Sequence, residues 1–475
     1  MGPKKGPSGR GGGGGKAGGG AGKKSSSEKA RKIPKSDSIS KRPETQRQQD
    51  QTGPVGPPEK INFDAAAASI PLPLQQLLLN VFRHALLHGE SSEGQDTTSD
   101  RGGSSSLHDQ IQTMKAHLYN RDFASAFADA SPDLLRAYAL RWSASRCLGY
   151  VGLLRDVIST ILEDPSGQEG MVSRNDEIMS PLHVLCIGGG AGAEIVALAG
   201  AWRVLQDEVG PSVIQRTAGD NTAILENGVH GIIESGVERL SLGDEQDDGA
   251  GHHSSPPSES TSTPATTQRE LPSLSITAVD IADWSSVVER LRDTIHSPSV
   301  KGSRSHPSPL LCRGEQRMID LSFRHLDILS ASDDDLNTLL GQKGRRTSLI
   351  TLMFTLNELF TTSMSKTTQF LLRLTDLTAP GAVLLVVDSP GSYSTLSMGN
   401  DTSEQTKQRQ YPMKFLLDHT LLSVAAEKWE RIASHDSRWW RRDASQLRYD
   451  VNLEGGEGLV KLEDMRFQIH VYRRL

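Results

Sequence analysis

The chain has 475 residues, of which 36% are hydrophobic and 23% charged, with 45 glycines and a formal net charge of −6. This is enough apolar material to build a core from part of the chain, and too little to order all of it. Three widely separated cysteines, Cys147, Cys186 and Cys312, make no CxxC pair, which excludes a disulfide framework and a zinc ribbon, so no metal is expected; no apolar run approaches the roughly 18 residues of a membrane helix.

Residues 1–68 are rich in Gly, Lys, Ser, Pro and Gln, show no periodicity and read as a disordered basic tail. Residues 1–60 carry 14 Lys/Arg against 5 Asp/Glu, leaving about −15 for the remainder. Such a tail suits nonspecific phosphate contacts or a nuclear address, and equally a solubilising extension. The opening Met1-Gly2-Pro3-Lys4-Lys5 lacks the apolar stretch of a secretion signal, so neither export nor membrane insertion is expected.

A helical module is predicted over 69–165. Leu77, Leu78, Val81, Phe82, Leu86 and Leu87 mark an amphipathic helix within 70–90, and a polar stretch over 89–106 follows it. From Leu107 to Leu162 the apolar residues recur at helical spacing, with helix starts at Asp122 and at Ser131-Pro132, where proline suits the first helical position. Arg141-Trp142-Ser143-Ala144-Ser145-Arg146 sets two arginines beside an aromatic. Arg141 and Arg146 are therefore candidate nucleic-acid contacts, the alternative being a packed helix junction.

From Pro181 onward the pattern changes to alternating strands and helices. Strands are predicted at 183–187, 275–279, 318–326, 348–354 and 383–387, with helices at 193–207 and near 284–295, 333–341, 364–377 and 411–428. That alternation predicts a mostly parallel sheet covered on both faces, a Rossmann-like α/β domain over 170–475. Low-complexity insertions are expected over 243–272 and 297–314; His252-His253 in the first reads as loop rather than as a metal site.

The chemistry concentrates at the strand ends. Gly188-Gly189-Gly190-Ala191-Gly192-Ala193-Glu194 joins the first strand to its helix, where glycines permit a tight turn and the helix N-terminus offers free N–H groups. The run parses as the GxGxG turn of a methyl-donor site, through Gly188, Gly190 and Gly192, and also as a dinucleotide GxGxxA, so NAD remains an alternative at this loop. Asp280 ends the next strand where a carboxylate accepts hydrogen bonds from ribose hydroxyls, a group shared by both ligands, and Asp327 follows the third strand where it suits an adenine amino group. Asn357 and Glu358 follow the fourth strand and Asp388 ends the fifth, all beyond carboxyl ends where ligands of open α/β sheets bind. Helix capping is the competing role for Asn357 and Asp388.

These motifs resemble the fungal 25S ribosomal RNA uridine-N3 methyltransferases. The resemblance rests on Arg141-Trp142-Ser143, Gly188 to Glu194, Val279-Asp280-Ile281-Ala282-Asp283-Trp284, Phe354 to Phe360, Asp388-Ser389-Pro390-Gly391-Ser392-Tyr393 and the terminal Met465 to Arg473, and covers roughly 107–475 outside the two insertions. It implies a class I S-adenosylmethionine-dependent methyltransferase fold, a nuclear or nucleolar enzyme, and a uridine of large-subunit ribosomal RNA as acceptor, naked or in a pre-ribosomal particle. Gly188, Gly190, Gly192, Glu194, Asp280 and Asp327 would then hold the donor. Cys186 stands where an acid commonly precedes the glycines, which leaves Glu194 to take part of that role.

Methylating uridine N3 requires removing an imide proton, so a positioned base is needed, and Glu358 and Asp388 are the candidates, with Asn357 beside them. The chain lacks the Asn/Asp-Pro-Pro-Tyr/Phe motif of exocyclic amino methylation, and no cysteine follows a relevant strand to attack a pyrimidine C6. N3 is buried in Watson–Crick pairs, so the target must be unpaired or flipped out. Arg431, Arg438, Trp439, Trp440, Arg441 and Arg442 offer a cationic, aromatic surface to hold it, the alternative being that the two tryptophans close a hairpin. Other functions still open at this stage are methylation of a small molecule or protein, NAD-dependent chemistry, and a non-catalytic ribosome-assembly factor. The sequence sets no oligomeric state.

Overall fold

The computed structural model describes residues 61, 63, 70–87, 106–163, 180–209, 271–312, 319–341, 346–391, 393–396, 409–441, 446–449, 451 and 460–475. The expected tail over 1–60, the insertion over 243–270 with His252-His253, and Ser392 and Arg442 lie outside the described residues. Ile61 and Phe63, placed in the tail by composition, are buried in the core.

The elements run α1 Leu72–Leu87, α2 Leu107–Tyr119, α3 Pro132–Tyr138, α4 Ala144–Glu163, β1 Leu182–Ile187, α5 Ala193–Val209, β2 Leu274–Asp280, α6 Ser285–Ile295, β3 Ile319–His325 and α7 Asp333–Leu340. They continue with β4 Thr347–Met353, α8 Leu356–Thr362, α9 Met364–Leu377, β5 Val383–Asp388, β6 Tyr393–Leu396, β7 Arg409–Pro412, α10 Met413–Asp418, β8 Trp429–Trp440 and β9 Met465–Arg474. Among the described residues, seven strands form one sheet in the order β3-β2-β1-β4-β5-β9-β8. β1 to β5 are mutually parallel, and β9 runs antiparallel to both β5 and β8. This is the Rossmann-like α/β class that the strand and helix pattern predicts.

Strands buried on both faces must be apolar throughout, and β1 and β5 are buried at every position. Alternate side chains feed two cores. Leu182, Val184 and Cys186 of β1 join the core on the side of α1, α4, α5 and α6, while Leu185 and Ile187 join the core on the side of α7, α8, α9 and α10. The helical module thus buries its apolar face in one of the sheet's own cores. α1 contributes eight buried residues, Leu74, Leu77, Leu78, Leu79, Val81, Phe82, Ala85 and Leu86, each large one stabilising by about 1.5–3 kcal/mol. Packing is close: a Cβ at Gly200 of α5 would lie 2.9 Å from Leu78 Cδ2 and 3.1 Å from Val151 Cγ2.

Local signals set the helix ends. Ser131 Oγ accepts from the Leu134 amide at 3.2 Å with Pro132 at the first position of α3, and Asp122 Oδ1 accepts from the Ser125 amide at 3.2 Å. Between α3 and α4 the chain loosens into a single π turn, Ala139–Ser143, without leaving the helical path.

Two expectations need correction. The stretch 297–314, expected as a disordered insertion, is held against the core over 297–312: Val300, Leu310 and Leu311 are buried, and Arg203 Nη1 donates to the Leu310 carbonyl at 3.1 Å. Three apolar residues scattered through a polar run have no period, so the pattern hid them. The segment expected as one helix near 411–428 is a short α10 followed by the π turn His419–Val424, and Trp429 already opens β8. No helix among the described residues is long and apolar enough to cross a membrane, and no group of three or more His, Cys, Asp or Glu there could hold a metal ion.

Candidate active site

β1 ends at Ile187, and the chain must reverse into α5 within five residues. Gly188 and Gly192 take φ values of +79° and +85°, which a side chain would strain. At Gly190 the requirement is space, since a Cβ there would lie 2.1 Å from Trp284 Cδ1. The turn is pinned to the neighbouring strand: the Gly188 amide donates to the Val279 carbonyl at 2.8 Å, and the Gly190 amide donates to Asp280 Oδ2 at 3.1 Å. Asp280 Oδ1 also accepts from the Ala282 amide at 3.1 Å. Burial pushes the Asp280 carboxyl up to about 6 even though these amides favour its ionised form.

Beyond these strand ends lies a cavity of about 530 Å³. Gly188, Asp280 and Asp327 line it, with the apolar Ile281, Leu326 and Ile328. Asp327 holds its own turn, accepting from the Leu329 amide at 3.0 Å and from Ser330 Oγ at 2.6 Å. Glu358, Arg146, Tyr138 and Phe354 line the same cavity.

Phe354 is the first residue after β4 and takes φ +61°, uncommon for a bulky side chain. Its amide donates to the Val387 carbonyl at 2.7 Å, which fixes the kink and starts α8. Glu358 then sits in the first turn of α8, half-buried and without a hydrogen bond among the described residues. Burial pushes its carboxyl up to about 8; the like charges of Asp388 and Asp280 add to this, and the Arg146 guanidinium opposes it.

Arg146 reaches the cavity from α4. Its Nη1 donates to Tyr138 Oη at 2.6 Å, and its guanidinium carbon lies 5.6 Å from the Tyr138 ring centre and 5.1 Å from that of Phe354. A chain of ring contacts continues along this wall: Tyr138 meets Trp284 at 5.8 Å and Phe127 at 5.3 Å, and Phe127 stacks on Phe123 at 6.5 Å.

Five of the residues singled out from sequence therefore share one cavity: Gly188, Asp280, Asp327, Glu358 and Arg146. Others lie elsewhere. Glu194 is fully buried beneath the turn, where its carboxyl accepts from the Thr351 hydroxyl on β4; burial raises it to about 7. Asp388 is buried and not part of the cavity lining. Its oxygens accept from the Asn357 amide at 2.9 Å and the Ser389 amide at 2.7 Å, so it anchors α8. Burial raises its carboxyl to about 6. Asn357 sits beside it with its side-chain oxygen buried and unpartnered among the described residues.

Arg141 is buried rather than presented: it pairs with Glu463 and donates to the Lys461 carbonyl at 3.3 Å, tying the helical module to the C-terminal segment. Trp439 is 54% exposed on β8, with Arg441 at 5.2 Å and Arg466 at 5.8 Å from its ring centre, and Arg438 rests 3.2 Å from His435 Nε2. Trp440 points the other way, into the core. Register places this patch: Asp388 at the carboxyl end of β5 pairs with Gln468, and Arg466 lies two residues further out, opposite Trp439. The patch is at the same end of the sheet as the cavity without lining it.

Sequence reasoning missed Phe123, Phe127, Thr355 and Lys366 of the lining. The i, i+4 spacing of the two phenylalanines marks a helix face, but nothing in it says that the face closes over a strand end.

A family model described as "Putative SAM-dependent methyltransferase" matches residues 94–473. The 25S rRNA (uridine(2843)-N(3))-methyltransferase of Saccharomyces cerevisiae is 29% identical over 413 residues, 84% of this chain and 86% of that protein. Among solved structures, an O-methyltransferase family protein from Burkholderia thailandensis is similar at 10% identity and a TM-score of 0.30, covering 83% of this chain and 82% of the other. A SAM-dependent methyltransferase from Methanosarcina mazei is similar at 8% identity and a TM-score of 0.26, covering 63% and 94%.

Proposed function

Because the chain belongs to this family of S-adenosylmethionine-dependent methyltransferases, we propose that it transfers the donor's methyl group to N3 of a uridine in 25S ribosomal RNA, the activity in the name of its yeast relative. The observation that carries the reading is the single cavity in which the glycine turn, two strand-end acids and the unbonded carboxyl of Glu358 meet.

The lining fits the donor chemically. Asp280 accepts from ribose hydroxyls, Asp327 from the adenine amino group, and Ile281, Leu326 and Ile328 flank a flat ring, while the turn brings Gly188 and Ala191 to the lining, with Gly190 and Gly192 packed against Trp284 and Leu291 behind it. When bound, the donor supplies an electrophilic methyl on sulfur. Glu194 supports the turn from beneath, joined to β4 through Thr351, rather than touching the donor.

Uridine N3 becomes nucleophilic only when its proton leaves, and Glu358 is the acid free to take it. Asp388 holds α8, and with it Glu358, in place through the Asn357 amide. A flipped uracil enters against the aromatic wall of Phe127 and Tyr138, since a base removed from its stack keeps a planar neighbour there. Arg438, Trp439 and Arg441 hold flanking RNA through phosphate and stacking contacts. In this reading the helical module over 69–165 supplies the acceptor wall, the 170–475 domain holds the donor, and the basic tail over 1–68 adds nonspecific RNA affinity. The enzyme would work in the nucleus and nucleolus, on ribosomal RNA or a pre-ribosomal particle.

The test uses purified protein, tritiated S-adenosylmethionine and large-subunit RNA lacking the modification, followed by digestion to nucleosides. Label in N3-methyluridine is the expected result; label in another nucleoside, or none, overturns the reading.

A further inference from the structure

Among the described residues Arg146 makes one hydrogen bond, to Tyr138 Oη, and no ion pair. A guanidinium has five N–H donors in a fixed fork. With one donor used by Tyr138 and the guanidinium held against the Tyr138 and Phe354 rings in the cavity wall, the remaining donors are left for whatever occupies the cavity. The ring contact of the guanidinium with Phe354 places it beside the kink that launches α8, four residues before Glu358. Positive guanidinium and acid thus line the same cavity, and among the described residues neither is neutralised by a direct salt bridge.

We propose that Arg146 is a catalytic residue of the acceptor half, donating to a carbonyl oxygen of the uracil while Glu358 removes the N3 proton. This rests on the uridine reading above. The N3–H bond breaks and its proton goes to a Glu358 oxygen. The electron pair left behind spreads from N3 onto O2 and O4, and the guanidinium stabilises that charge as it develops, as preorganised donors do in oxyanion sites. The N3 pair then forms the new N–CH3 bond, and the pair of the broken C–S bond stays with sulfur, leaving a neutral thioether. Glu358 must be ionised at the start, and the same guanidinium favours that state.

An anionic or carbonyl partner for Arg146 could also be the donor's own carboxylate, and the experiment separates the two. Full-length wild type, Arg146→Lys, Arg146→Met and Tyr138→Phe are compared by single-turnover transfer to ribosomal RNA at saturating donor and RNA between about pH 6 and 10. S-adenosylhomocysteine affinity of each is measured in parallel by calorimetry. The expected result for Arg146→Met is a rate about 100-fold lower, a rising limb displaced to higher pH, and product affinity unchanged within about threefold. Arg146→Lys should recover part of the rate, and Tyr138→Phe, which frees the guanidinium, should fall between. If Arg146→Met does not fold, the lysine and Tyr138→Phe variants carry the same comparison. Weakened S-adenosylhomocysteine binding with an unchanged saturated rate would make Arg146 a donor anchor and overturn the proposal, as would rates and pH limbs matching wild type. Failure of wild type to form N3-methyluridine would instead sink the uridine reading itself.

Discussion

Under the proposed function the cavity has a donor half and an acceptor half, and the two are built in different ways. The donor half is made by consecutive strand ends of one sheet, with Gly188, Asp280 and Asp327 following β1, β2 and β3, and its carboxylates are already engaged: Asp280 by the Gly190 and Ala282 amides, Asp327 by Leu329 and Ser330. The acceptor half joins α4 and the π-turned helix before it to α8, with Arg146 and Glu358 more than 200 residues apart in sequence, and its carboxyl is unbonded among the described residues. Carboxylates fixed by neighbouring donors keep further lone pairs aimed at a ligand; a desolvated acid without partners can exchange a proton near neutral pH. The contrast between Asp388 and Glu358 makes the same point around one helix: the carboxylate at the end of β5 fixes the start of α8, and the one on α8 faces the cavity.

The largest expected effect comes from emptying the acceptor half of its base. Glu358→Gln should lower single-turnover transfer by about 10³-fold. In wild type the rate should rise with pH through about 8, because the carboxyl is raised from 4.5 to about 8 and only its ionised form can take the N3 proton. A Glu358→Gln enzyme with a wild-type rate, or a wild-type rate flat across that range, would remove Glu358 from the chemistry.

A smaller effect, on folding as well as binding, should follow from filling the donor half. Gly190→Ala sets a methyl 2.1 Å from Trp284 Cδ1 and crowds Asp280, an overpacking cost of about 1–3 kcal/mol. Denaturant unfolding should show the loss, with the pH limb of any residual activity unmoved.

The mildest change should come from outside both halves. Trp439→Ala, which removes the ring shared by Arg441 and Arg466, should weaken RNA binding by about 1–3 kcal/mol and leave S-adenosylhomocysteine affinity untouched. Filter binding at several salt concentrations reads the first, calorimetry the second.

The same division explains what was legible in the sequence. The donor half follows chain order: an apolar strand, a glycine turn, a helix, then acids at successive strand ends, each signal local. The acceptor half is a tertiary product. Arg141 and Arg146 sit five residues apart in one motif, yet the helix turns Arg141 toward Glu463 and Arg146 into the cavity, a difference that depends on what each face meets. The left-handed kink at Phe354 has no sequence signature, since it is imposed by the hydrogen bond to Val387 and the packing around it. Glu194 looked like a donor ligand because it follows the glycines; its actual partner, Thr351, lies 157 residues away on β4.

The division itself is tested most directly by calorimetric titration of S-adenosylhomocysteine into Asp280→Asn and Glu358→Gln side by side. The account predicts that Asp280→Asn weakens binding by about tenfold or more while Glu358→Gln binds like wild type. Equal loss in both variants, or loss only in Glu358→Gln, would contradict it.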